Sequence, residues 1–176
     1  MQQVVVSAPG VVKLFGEHAV VYGKPAIAMA INKRIRVAAS PRPDDHVKII
    51  ARDLRAMGLI INVAGNGEIA IETEYGMAMN AISYVRTAIE VAKKHLRESR
   101  GVELDISSDM PVGAGLGTSA AVAVAAIKAY ASAFGFHFTN PEVASLAHEG
   151  AKVVLRAPNP LDSPVFALGG LRLLTL

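Results

Sequence analysis

Apolar and polar residues alternate along several segments before about residue 75, which is the pattern of strands with one buried face. Segments 4–6 and 11–15 predict two strands, with Ala8-Pro9-Gly10 as a turn between them. Further strands are predicted at 26–37, 46–51, 59–63 and 69–74, with Gly65-Asn66-Gly67 as a hairpin signal. The N-terminal part is therefore predicted to form a β-rich layer.

The spacing becomes helical after this layer. An amphipathic helix is predicted over 80–97, where apolar residues recur every three or four positions at Ile82, Val85, Ile89, Ala92 and Leu96. A strand is predicted over 102–107. The segment 118–134 is apolar on nearly every side, which is typical of a helix buried at the centre of a domain.

The last part of the chain adds a helix and a strand. The helix is predicted over 140–155, with Asn140 as its N-cap and Pro141 at its first position. A Pro-rich loop is predicted over 156–163 and an apolar strand over 171–176. A β-rich layer followed by helices and single strands indicates the α+β class.

Composition excludes several classes of protein. The chain has 176 residues, of which 52% are hydrophobic and none is cysteine, so a core is possible and disulfides and thiolate metal sites are excluded. The net charge is +3, but only 5% of residues are aromatic and the basic residues form no long run, so we expect no nucleic acid partner. No signal peptide or membrane-spanning stretch is recognisable. We therefore expect a cytoplasmic protein with no membrane partner.

A glycine-rich segment joins the strand at 102–107 to the apolar helix. Its residues are Pro111, Val112, Gly113, Ala114, Gly115, Leu116, Gly117, Thr118 and Ser119. Alternate glycines let the backbone approach a ligand, and the following helix directs free N–H groups and a positive dipole end at the same place. The segment is neither a Walker loop nor a dinucleotide fingerprint. It predicts a phosphate-binding loop, with a flexible turn capped by Thr118 as the alternative.

A second motif lies near the N-terminus and is more particular. Ser7-Ala8-Pro9-Gly10 is followed at 14–23 by the sequence Leu-Phe-Gly-Glu-His-Ala-Val-Val-Tyr-Gly. Together with residues 111–121, this motif resembles the mevalonate kinases of the GHMP kinase superfamily. The stretch 16–23 favours them over the galactokinases, which typically have Thr-Asp-Tyr after Gly-Glu-His. The resemblance extends over essentially the whole chain.

The resemblance implies a fold and a reaction. It implies an N-terminal domain of the ribosomal protein S5 domain 2-like α+β type, followed by a ferredoxin-like C-terminal domain. It also implies phosphorylation of the primary hydroxyl of mevalonate by ATP, with Mg²⁺. The implied ATP-binding residues are Ser108 and the loop 111–119, and Ser119 would also hold Mg²⁺. Asp162 stands at the place of the catalytic aspartate, and Glu17 and His18 at the substrate end of the cleft.

The residues themselves are compatible with this chemistry, and each also has a structural interpretation. A carboxylate at Asp162 can accept the proton of the attacking hydroxyl, and a lysine can stabilise the developing charge. Asn159-Pro160-Leu161-Asp162 is equally typical of a turn. His18 taken alone is as well explained as a hydrogen-bonded structural histidine.

The sequence departs from the family pattern in three places. Lysine usually follows Ala-Pro-Gly, but Val11 stands there and Lys13 comes two positions later, on the same face of a strand about 6.6 Å away. Lys13 is therefore a candidate catalytic lysine with a shifted anchor, or simply a strand lysine. The usual magnesium-binding glutamate is Ala151 here, with Glu149 as the nearby candidate metal ligand. Pro160-Leu161 replaces the usual Ser-Gly before the aspartate.

Length sets the expected domain organisation. We expect residues 1–170 to form the ATP-binding domain and 171–176 to begin a C-terminal domain that this chain lacks. The apolar terminal strand is expected to be unpaired, which would favour a homodimer or association with another chain. Two alternatives to a mevalonate kinase remain: a non-catalytic nucleotide-binding module, and another GHMP kinase such as a phosphomevalonate kinase.

Overall fold

The computed structural model describes residues 3–51, 59–63, 65, 69–71, 78–110, 115–154 and 162–174. The strands are β1 (Val4–Phe15), β2 (Ala26–Pro41), β3 (Val47–Ala51), β4 (Leu59–Val63), β5 (Ile69–Ile71), β6 (Val102–Ser108) and β7 (Leu171–Leu174). The helices are α1 (Ala78–Leu96), α2 (Thr118–Ala133), α3 (Asn140–Val154) and α4 (Asp162–Leu168), and a short 3-10 helix spans Ala19–Tyr22. The α+β prediction is confirmed.

The strands form one mixed sheet in the order β1-β2-β6-β3-β4-β5, and β7 pairs with β2. Strand β3 runs parallel to β6, and the other described pairs are antiparallel. Strand β2 has 16 residues and borders two partners on the side away from β1. Its first part pairs with β7 and its last part with β6.

Helices α2 and α4 pack on β1 and β2, and α2 lies at the centre of the core. It contacts β1 and β2 on one side and α1, α3 and α4 on the others. Every residue of the segment 121–127 is buried, which agrees with the apolar pattern around the whole helix. On β6 the alternate residues Val102, Leu104 and Ile106 point into the same core.

The predicted turn at Ala8-Pro9-Gly10 is wrong, because β1 runs through it. The register with β2 shifts there instead: Pro9 lies opposite Arg34 and Gly10 opposite Ile31, so the extra residues of this irregularity belong to β2. Proline lacks the N–H that a central strand would use, and β1 lies at the end of the described strand order, where proline is tolerated.

The predicted cap of α3 is also wrong. Thr139 and Glu142 form a capping box: the Thr139 N–H and hydroxyl donate to Glu142 Oε2, both at 2.7 Å. The Glu142 N–H donates back to the Thr139 hydroxyl at 3.4 Å. Asn140 instead accepts a hydrogen bond from Lys128 Nζ at 2.9 Å. The sequence Thr139-Asn140-Pro141-Glu142 contains this signature one residue before the predicted cap.

Two features of the C-terminal part differ from expectation. The strand predicted to be unpaired hydrogen-bonds along β2, with Leu171 opposite Met29 and Leu174 opposite Ala26. Its pairing groups on that side are therefore satisfied within the chain. Helix α4 was not predicted, because its first two residues were assigned to the Pro-rich loop and the rest were given no element. Asp162-Ser163-Pro164 is nevertheless a typical helix start, with an acidic residue and a proline in the first turn.

Candidate functional site

The glycine loop leads from the end of β6 into the first turn of α2. Gly117 occupies the N-cap position with φ 68°, a left-handed angle that favours glycine, and no side chain caps the helix. Thr118 is the first helical residue, so the cap by Thr118 that belonged to the alternative interpretation of this segment is wrong. Gly115 has φ 71°. Of the predicted loop residues, Pro111, Val112, Gly113 and Ala114 lie outside the described residues.

The end of the loop has the features of an anion site. The first helical hydrogen bond joins Ala121 N–H to Gly117 C=O at 3.0 Å, so the N–H groups of residues 118–120 precede it. The positive end of the α2 dipole lies at the same place. A Cβ built on Gly115 would meet no atom within 4 Å, so the space beside its backbone is open. This is a suitable cradle for the phosphates of a nucleotide.

The start of the loop is held by hydrogen bonds from β6. The Ser108 hydroxyl donates to Met110 C=O at 3.1 Å and accepts from Met110 N–H at 3.0 Å. Ser108 was predicted to contact ATP. In the structure its hydroxyl fixes the backbone of Met110, directly before the loop.

Asp109, between these two residues, accepts a hydrogen bond from Arg36 Nη1 at 2.9 Å. This contact holds the pKa of the Asp109 carboxyl below its usual value. The carboxylate beside the loop is thus ionised and paired.

The opening motif lies against the loop. The Val11 N–H donates to Leu116 C=O at 3.1 Å, and the Val11 side chain is only 3% exposed. Lys13, two residues further along β1, is partly exposed, and its Nζ lies 3.4 Å from Glu17 Oε1. His18 is exposed and comes directly before the short 3-10 helix. The structure therefore brings Lys13 and Glu17 together. Lys13 lies on β1, which borders the loop, and Glu17 lies on the turn that follows β1.

Helix α4 completes the surroundings of the loop. Asp162 is its first residue, and Phe166, one turn later, is buried against Gly117. A Cβ on Gly117 would lie 2.1 Å from the tip of the Phe166 ring. Sequence reasoning missed Phe166, and its only signal was the helix start at Asp162.

The predicted metal ligands are on different helices. Ser119 is half-buried in the first turn of α2, and Glu149 is exposed near the end of α3. Among the described residues, no group of three or more histidines and carboxylates is arranged to hold a metal ion. A magnesium ion bound here would therefore take most of its ligands from phosphate oxygens and water, as this ion commonly does.

Comparison with known proteins agrees with this arrangement. The family model for the GHMP kinases N terminal domain matches residues 83–170, and the galactokinase galactose-binding signature matches residues 1–41. The chain is 46% identical to a mevalonate kinase of Thermococcus gammatolerans over 96% of its own length and 50% of that protein. It is 45% identical to a mevalonate kinase of Thermococcus sibiricus over the same shares.

The fold agrees as well. The crystal structure of Methanococcus jannaschii mevalonate kinase superposes with a TM-score of 0.83 and 26% identity, over 99% of this chain and 54% of that one. The chain thus spans about half the length of the relatives that it matches. Within the part of the chain that the structure describes, no helix has the length and apolar character needed to cross a bilayer.

Proposed function

Because the chain belongs to the GHMP kinases, we propose that it is the ATP-binding part of a mevalonate kinase, which phosphorylates the primary hydroxyl of mevalonate with ATP. The observation that carries this proposal is the end of the glycine loop. There Gly115 leaves open space, Gly117 starts α2 without a side-chain cap, and Leu116 is tied to the opening motif. Relatives that are mevalonate kinases at 45–46% identity support the choice of substrate.

In the proposed reaction the mevalonate oxygen forms a bond to the γ-phosphorus, and the bond from that phosphorus to the β–γ bridging oxygen of ATP breaks, releasing ADP. The proton of the hydroxyl passes to the carboxylate of Asp162. The loop N–H groups and Lys13 would neutralise phosphate charge, and Glu17 and His18 would face mevalonate. Magnesium, which Ser119 would help to hold with Glu149, supplies charge neutralisation on the phosphates when bound.

The proposed domain boundary at residue 170 falls directly before β7, which hydrogen-bonds to β2. Residues 1–170 would then form the ATP-binding domain, and β7 would connect its sheet to the C-terminal domain. We propose that turnover requires this second domain.

A second candidate is a non-catalytic nucleotide-binding module. It is favoured by Val11, which is buried where the family has lysine, and by Ala151, which replaces the usual glutamate. This module would bind nucleotide through the same loop but would transfer no phosphate.

The first test is binding. Millimolar MgATP should raise the thermal unfolding midpoint of this chain, because a ligand that binds only the folded state stabilises it. The absence of any shift, confirmed by calorimetry, would sink the nucleotide assignment. The second test is turnover with mevalonate, phosphomevalonate and galactose, by following ADP release from the chain joined to its C-terminal domain. ADP release with mevalonate supports the kinase, and binding without turnover on any substrate supports the module.

A further inference from the structure

A large buried side chain packs on a glycine at each end of the glycine loop. At the start, Met110, directly before the loop, packs on Gly10 of β1, and at the end, Phe166 of α4 packs on Gly117 of the loop. At the start, Met110 Sδ would lie 2.3 Å from a Cβ on Gly10, and Met110 is 3% exposed. At the end, the Phe166 ring occupies the place of a Cβ on Gly117 and is 2% exposed. Neither glycine can be replaced without moving its neighbour.

These contacts connect the loop to two different elements. Gly10 belongs to β1, which carries Lys13 three residues later, whereas Phe166 belongs to α4, which begins at Asp162. The start of the loop is also fixed by the Ser108 hydrogen bonds to Met110, and Val11 N–H holds Leu116 C=O. At the end of the loop, Phe166 is the side chain that links Gly117 to α4.

We propose that Phe166 is a positioning residue: its ring on Gly117 sets the distance and orientation between the phosphate-binding end of the loop and α4. The inference rests on the proposed function and deepens it. Position 162 lies one turn before Phe166 on α4, so a change at the Phe166–Gly117 contact shifts the start of that helix relative to bound phosphate. The ring also limits Gly117 to the left-handed conformation from which the first N–H groups of α2 are presented.

The geometry at Gly117 favours a positioning role for Phe166 over a role in filling core volume alone. The three ring atoms nearest to the built Cβ lie at 2.1, 3.0 and 3.0 Å from it. The tip of the ring therefore points at the Gly117 backbone and packs directly on it. Leucine is shorter and leaves a gap at this place. A small displacement of aligned groups has large effects on binding and reaction, so such a gap should lower the affinity for the nucleotide.

Phe166→Leu tests the proposal, and Phe134→Leu is the matched control. Phe134 follows the last residue of α2 and packs partly buried against the same core, about 24 Å along the helix from the loop. Affinity for MgATP is measured by calorimetry below the unfolding midpoints of both variants. We expect Phe166→Leu to weaken binding about tenfold and Phe134→Leu to stay within about twofold. Phe166→Met, whose unbranched side chain is about as large as leucine but reaches further towards Gly117, should recover part of the loss.

The outcomes separate the two proposals. If the unchanged chain does not bind MgATP, the proposed function fails and the role of Phe166 fails with it. If the unchanged chain binds and Phe166→Leu binds equally well, or no worse than Phe134→Leu, the positioning role alone is overturned.

A stability cycle checks the contact independently of nucleotide. Gly117→Ala is strained in either background because φ is 68°, and in the unchanged background it also meets the Phe166 ring. The double variant Gly117→Ala/Phe166→Leu should therefore lose less stability in urea than the sum of the single losses. Simple additivity would overturn the claim that the ring holds Gly117.

Discussion

The backbone N–H of Val11 donates to the carbonyl of Leu116 at 3.1 Å, and this bond joins the two motifs that define the site. The motifs are about a hundred residues apart in the chain, yet the loop lies directly against β1. Lys13 lies two residues beyond Val11 along the same strand, and Glu17 pairs with it at 3.4 Å. Val11 donates its backbone N–H to the loop, while its side chain packs into the core.

Gly115→Ala should separate nucleotide binding from stability. An alanine at this φ of 71° costs about 1–2 kcal/mol, but its methyl group would meet no atom within 4 Å. We expect a modest fall in the unfolding midpoint and a loss of MgATP affinity of about tenfold or more, because the methyl group would occupy the open space of the cradle. Gly135→Ala is the matched control, since Gly135 has φ 82° and equally open surroundings at the far end of α2. Equal affinity in the two variants would contradict a phosphate role for Gly115.

Lys13→Met should weaken nucleotide binding without much loss of stability. Lys13 is partly exposed and pairs with Glu17 at 3.4 Å, and such pairs contribute little to folding. Removing the cation that we propose to neutralise phosphate should reduce MgATP affinity by about tenfold. Lys94→Met, on the exposed end of α1, serves as the control in the same titration. If both variants bind MgATP as the unchanged chain does, Lys13 is simply a strand lysine.

Much of the fold follows from periodicity, and the differences have local causes. Helices α1 and α2 and strand β6 were predicted within two residues because their apolar spacing is strong over many residues. The strand irregularity at Pro9-Gly10 was taken for a turn, since proline and glycine are typical of both. For α3, the carboxylate of Glu142 decides between two adjacent polar residues as the cap, and it selects Thr139.

The site was predictable in part. The glycine loop is recognisable from its alternate glycines, and Gly117 has the left-handed φ that glycine allows. The contacts of Phe166 with Gly117 and of Met110 with Gly10 were not predictable, because they join residues about 50 and 100 positions apart. Spacing along one strand or helix carries no information on such pairs. The same holds for Arg36, which pairs with Asp109 across the sheet.

Val11→Lys tests whether the usual lysine position could work in this chain. Val11 is 3% exposed, so a lysine there must bury its stem and find water for its charge. We expect a loss of about 2–4 kcal/mol in the free energy of unfolding, measured in urea, and no gain in MgATP affinity. Val12→Lys, on the less buried neighbouring position, should cost clearly less. Tighter nucleotide binding by Val11→Lys would show that Lys13 does not replace the family's lysine.

Asp162→Asn should abolish most of the proposed phosphoryl transfer while leaving nucleotide binding intact. Loss of a general base typically lowers kcat by about 10²–10⁴, whereas KM for ATP should change little because the loop is untouched. The measurement is ADP release in the presence of mevalonate by the chain joined to its C-terminal domain, with Asp109→Asn as the carboxylate control beside the loop. Unchanged turnover in Asp162→Asn would remove this residue from the mechanism.

The connection from β2 to β3 should make stability depend on pH through Asp44. Arg42 donates to both carboxylate oxygens of Asp44, at 2.8 and 2.6 Å, and His46 N–H donates at 3.2 Å. The Arg42 hydrogen bonds are the main cause that lowers the pKa of Asp44 to about 2. Because the folded-state pKa lies below the usual value, the ionised Asp44 contributes its full stability above about pH 4, and this contribution is lost as the pH falls towards 2.

The unfolding midpoint of the unchanged chain should therefore exceed that of Asp44→Asn at pH 6, and the two midpoints should converge between pH 4 and pH 2. Arg42→Gln removes the main cause and should flatten the same part of the curve. A difference between Asp44→Asn and the unchanged chain that persists at pH 2 would show that the carboxylate acts through shape and not through its charge.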